Sequence, residues 1–145
     1  MTARAGPALR QLLLAVFLFG AIGVLVELAL LGHNEEFWQW IPIVLLAISI
    51  PVAIALLVNP HRIVIHMFTG IAMLFVGASG LGLIQHFRGN IEFELEMYPS
   101  MRGWELIWET LTGATPALAP GTMALLGLIG IIYSFRHPLT GGGQS

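Results

Sequence analysis

Two residue types carry most of the chemistry available to this 145-residue chain. It has eight acidic residues, all glutamate, and five histidines, but no lysine, aspartate or cysteine. Imidazole and carboxylate together suit zinc, copper or manganese. The residues that could supply such a site are His33 and His86 with Glu35 and Glu36. No two histidines stand at the four-residue spacing that puts a ligand pair on one helix face. A divalent-metal site therefore competes with a plainer reading, in which these are polar residues closing helix ends. Two histidines on separate helices at one depth can also ligate haem, and His33 with His86 is the pair on the acidic side. A second haem against His66 does not fit. His66 and His86 are twenty residues apart, about 30 Å along a helix.

Glu27 stands alone inside an apolar run, LLLAVFLFGAIGVLVELALLG. A carboxylate near the centre of a membrane helix costs about 2.5–3.5 kcal/mol, and less towards the interface. Such a group is expected to face protein or water. The sequence points it between the first and third apolar segments, against Gln85, His86 or Arg88, as a hydrogen-bonded carboxyl or as an ion- or proton-handling site. The stretch RGNIEFELEMYP raises a different question, because Glu92, Glu94 and Glu96 alternate with Ile91, Phe93, Leu95 and Met97. That period of two predicts an extended segment with the glutamates outward and Phe93 and Leu95 packed down. In GWELIWETLTG, Trp104, Ile107, Trp108 and Leu111 share a helix face, with Glu105 and Glu109 on another, which predicts a short interfacial helix.

The tetrapeptide Gly77-Ala78-Ser79-Gly80 is similar to the nucleophile motif of the rhomboid intramembrane proteases. Over these four residues the resemblance implies a serine nucleophile at Ser79. Rhomboids draw their histidine base from a later helix, and the last apolar segment here contains none. Small residues at these positions therefore read as helix-packing sites.

The elements that must position these groups follow from composition. Hydrophobic residues make up 57% of the chain and charged residues 10%, where soluble domains carry roughly 25% charged residues. Mean hydropathy is +0.85. The small formal charge of −2 gives no electrostatic footprint for nucleic acid. Crossing a bilayer takes roughly 20 apolar residues per helix. Four stretches meet that length, at about 11–32, 38–58, 63–87 and 116–135, joined by two tight turns and one long loop, 88–115. The first run is too long for the apolar region of a signal peptide, and a charge stands at its would-be cleavage site. Arg4, Arg10, Arg62 and Arg136 share one side with no acid, while seven glutamates lie on the other. By the bias of basic residues to the cytoplasm, both termini are expected inside and the acidic loops outside. Trp38 and Trp40 mark an interface. Pro51 is expected to bend the second span. Glycines at close spacing, Gly70, Gly77 and Gly80 in the third span and Gly127 and Gly130 in the fourth, predict close helix approach.

These readings predict a single all-α membrane domain: a four-helix antiparallel bundle, capped outside by an extended acidic segment and an interfacial helix. No catalytic set emerges. The leading expectation is a non-catalytic integral subunit or scaffold of a larger membrane assembly, or a homo-oligomer. It would dock through Glu92, Glu94, Glu96, Glu105 and Glu109. The alternatives are a small transporter or ion-handling protein using Glu27 and the external carboxylates, and a metal- or haem-binding redox subunit using His33 and His86.

Overall fold

In a computed structural model, residues 6–113 and 120–140 are described, and all regular structure among them is helical. The elements are α1 (Pro7–Leu30), α2 (Phe37–Val58), α3 (Arg62–Met97), α4 (Gly103–Thr112) and α5 (Gly121–Ser134). Helices α1, α2 and α3 are long and apolar enough to cross a membrane. α5 is apolar but has 14 residues, about 21 Å at helical rise. The expected start of its span near 116 lies outside the described residues.

Local chemistry sets the helix limits. Pro7 opens α1 at a position where its missing N–H costs nothing. At the other end Gly32 takes a φ of +62°, the left-handed conformation that glycine adopts without a Cβ clash. The Gly32 N–H then donates to the Ala29 carbonyl and the His33 N–H to that of Leu28, closing the helix in a Schellman motif. α2 starts where Gln39 Oε1 accepts the backbone N–H groups of Glu35 (2.8 Å) and Glu36 (3.1 Å), and it runs on through Pro42 and Pro51. Between α2 and α3, His61 Nδ1 accepts the Ile63 N–H.

The third apolar segment differs from expectation. It does not give way to an extended chain at Arg88. α3 continues as a helix to Met97, 36 residues in all, or about 54 Å at helical rise. Glutamate, leucine and methionine are good helix formers, and extending an existing helix avoids a new nucleation step. No stop occurs until Tyr98, which precedes Pro99 and so is biased towards extended backbone. α4 then packs against this far end of α3.

Around the bundle the contact order is α1–α2–α3–α5, with α5 returning to α1. Its interior is a stack of rings: Phe17 meets Phe68 edge-on at 4.9 Å and lies over Phe75 at 5.9 Å, and Phe68 meets Tyr133 at 5.6 Å. Gly127 and Gly130 bring α5 onto α3. A Cβ on Gly127 would stand 2.6 Å from the Ala72 carbonyl oxygen, and one on Gly130 would stand 2.7 Å from Ala72 Cβ. Gly70, Gly77 and Gly80 meet nothing within 4 Å. Their side of α3 faces away from the chain, and the inward stripe is Ile65, Phe68, Ala72, Phe75 and Ser79. Outward lies an apolar belt in which Phe19 and Val58 are more than 80% exposed. That surface suits lipid as solvent, where helices associate by packing and not by escape from water. The chain is an integral membrane protein by this construction.

Candidate functional site

Polar side chains gather at the two ends of the bundle, one rich in arginine and the other in glutamate.

At the glutamate end, the Schellman turn carries His33 off α1 and sets it against His86 of α3. The two imidazole rings are nearly parallel, 20° between planes, with centroids 6.5 Å apart. Both are half-buried. Glu35 and Glu36 do not join them. No group of three or more histidine or acidic side chains that could hold a metal occurs among the described residues. The structure thus unites two of the four candidate ligands.

Glu27 is not between α1 and α3. It is exposed on the outer side of α1, and its side chain makes no hydrogen bond or ion pair among the described residues. Gln85, His86 and Arg88 are not its partners. Helical geometry explains the miss. The inward stripe of α1 is Arg10, Leu14, Phe17 and Ala21, and continuing it by steps of three and four reaches Val24 and Leu28, not Glu27.

The acidic segment is rearranged by its helical form. Glu94 is buried at 8% exposure while Phe93 is 47% exposed, the reverse of the period-two expectation. Glu94 and Asn90 stand one turn apart on the face of α3 that α4 covers. There Asn90 Nδ2 donates to the Thr110 carbonyl at 2.8 Å. Gly113 lies so close that a Cβ on it would come within 3.4 Å of Glu94 Oε1. Glu94 therefore leaves the proposed docking face, and Glu92, Glu96, Glu105 and Glu109 remain exposed. α4 turns Leu106, Thr110 and Gly113 inward. Its Trp104, Ile107, Trp108 and Leu111 stripe faces out, with Trp104 at 72% exposure.

Arg10, in the sequence only a topology signal, organises the arginine end. Its guanidinium is buried at 7% exposure and reaches the last turn of α5. It donates to the carbonyls of Tyr133, Phe135 and Arg136, oxygens that the helix end leaves without partners. A cation there also meets the negative pole of the helix. Arg136, at φ 48°, turns the chain below that end. His137 follows, buried, with its ring 5.4 Å from that of Tyr133. Its Nδ1 accepts the Leu139 N–H. Burial, and secondarily the Arg10 charge, hold the His137 imidazole below its ordinary range. The sequence did contain a signal for Arg10, which lies four residues before Leu14 and in register with the buried stripe.

Ser79 is buried on α3 and makes no hydrogen bond to a histidine. Nothing here builds a nucleophile around it. Comparison with protein-family models, curated proteins and solved structures gives no match.

Proposed function

We propose that the chain is a non-catalytic subunit or scaffold of a larger membrane assembly, docking through the hairpin formed by the far end of α3 and α4. The observation that carries this reading is the length of α3. About 54 Å of helix exceeds a hydrocarbon core of about 30 Å by about 24 Å, or roughly four turns. The projecting end is braced by α4 and presents Glu92, Glu96, Glu105 and Glu109 beside exposed tryptophans. Exposed tryptophans within a polar, charged rim are the make-up of a protein–protein contact surface. In this reading α5 belongs to a fourth crossing. The arginine end is cytoplasmic and the hairpin external, following the basic bias. Glu27 supports the same conclusion: a lipid-side carboxyl near the external end of α1, with no side-chain partner among the described residues, suits a neighbouring helix that supplies one.

The test is mild-detergent purification from native-level expression after chemical cross-linking. A stoichiometric membrane partner, lost when Glu92, Glu96, Glu105 and Glu109 are all changed to glutamine, is the expected result. A chain that crosses only to lipid, with cation flux in proteoliposomes that Glu27→Gln abolishes, would replace this reading with the ion-handling one.

The stacking of His33 on His86 favours a second reading, a metal- or haem-binding subunit. Stoichiometric metal or a Soret band in the purified protein, absent in His86→Ala, would establish it. A colourless, metal-free preparation from metal- and haem-replete cells would remove it.

A further inference from the structure

Among the described residues, the arginine end holds a buried cation with no anion paired to it. Arg10 is buried, and its three side-chain hydrogen bonds all go to neutral carbonyl oxygens. Its Nε is buried with no hydrogen-bond partner. On α1 the nearest acid is Glu27, seventeen residues on, about 25 Å away along the helix. The helix pole offsets roughly half of a unit charge, so the site keeps a positive field. Beside it opens a cleft of about 500 Å³, a size that takes small-molecule ligands. Arg10 and His137 lie at its polar part, and Leu14, Leu56, Leu57 and Pro60 form much of the rest. A free anion would gain from the charge but nothing from these walls. An amphiphile gains from both.

We propose that this cleft binds one anionic phospholipid of the adjacent leaflet, its phosphate drawn to Arg10 and the upper part of an acyl chain lying along Leu14, Leu56 and Leu57. The site differs from the docking hairpin in place and in ligand, and it stands whether or not that hairpin has a partner. Basic residues near a membrane surface favour anionic lipid by about 1 kcal/mol each, so a single guanidinium gives about a fivefold preference over a zwitterionic lipid.

The test uses the full chain, delipidated in a non-ionic detergent and then offered phosphatidylglycerol, phosphatidylcholine of the same acyl chains, or inorganic phosphate. Bound lipid is counted by native mass spectrometry. One phosphatidylglycerol should be retained with about a fivefold preference over phosphatidylcholine. Leu57→Trp fills the cleft while leaving Arg10 and its carbonyl contacts in place, and it should lose the retained lipid. Arg62→Gln, at the same end but outside the cleft, should keep it. Equal retention of the two lipids would overturn the proposal, as would undiminished retention by a folded Leu57→Trp. Displacement of the lipid by millimolar phosphate would show a free-anion site instead and overturn it too.

Discussion

Replacing Gly127 by alanine tests whether α3 and α5 really meet through backbone. The new methyl would stand 2.6 Å from the Ala72 carbonyl oxygen, 2.8 Å from Val76 Cγ2 and 3.1 Å from Phe75 Cβ. The first of these belongs to main chain, so no rotamer change relieves it and the helices must separate. Overpacking of this kind costs about 1–3 kcal/mol. Against it, alanine is better than glycine in a helix interior by about 1 kcal/mol. Gly127→Ala should therefore lie between neutral and about 2 kcal/mol destabilised. Gly77→Ala is the matched control. It sits in a helix with nothing within 4 Å of the added atom, and should gain the propensity alone. The gap between the two variants, about 1–3 kcal/mol, isolates the contact from the propensity. Thermal unfolding in one detergent, followed by circular dichroism, measures it. If Gly127→Ala raises the midpoint as much as Gly77→Ala does, α5 does not pack on α3 at this register.

Three further outcomes follow from the two ends of the bundle. Arg10→Met should destabilise by about 1–3 kcal/mol, because three carbonyls at the end of α5 lose a charged donor. Hydrogen exchange should show the loss first around residues 131–137, and a uniform effect along the chain would contradict the capping role. His137 is held below its ordinary range in the folded chain, so the unfolded chain takes the proton first as pH falls. Its contribution is complete above about pH 6.5 and declines below it. The thermal midpoint of the parent should drop from pH 7 to 5.5 more than that of His137→Gln, and equal slopes would refute the assignment. Asn90→Ala breaks the bond to the Thr110 carbonyl. It should raise amide exchange across α4 while leaving α1 to α3 protected, whereas Phe93→Glu, on an exposed side chain, should leave both unchanged.

What the sequence shows and what it hides separate along physical lines. The three long spans and their tight turns were legible, because lipid imposes a length and an apolarity that a single chain displays directly. The Gly32 stop was legible for the same kind of reason, since left-handed backbone selects glycine locally. Which side of each helix turns inward was not. In water, the polar face of a helix identifies its outside, but in lipid both faces are apolar and that contrast disappears. The glycine stripe of α3 therefore read as an inward seam when Phe68, Ala72 and Phe75 hold that position. Arg10 was hidden by the opposite error, a charge presumed to be wet because it lies near an interface.

The acidic stretch shows most clearly how local pattern and chain context compete. Alternation of Glu92, Glu94 and Glu96 with apolar residues fits a strand, but a strand needs a partner edge, and no strand occurs among the described residues to provide one. Without that partner its backbone donors would depend on water. Continuing α3 satisfies them internally, one bond for each residue added. The cost is that one glutamate of the three turns inward, and Glu94 is the one, because it lies one turn beyond Asn90 on the side that α4 covers. Two consequences then bear on function. The acidic region is a braced helical hairpin and not an extended segment, and its surface mixes carboxylates with the exposed tryptophans of α4. A partner that recognised charge alone would bind as well to a scrambled acidic loop. One that recognises this hairpin should be sensitive to Asn90→Ala, which leaves every exposed glutamate in place. Loss of partner binding in that variant, with the span helices intact, would mean that shape and not charge is read.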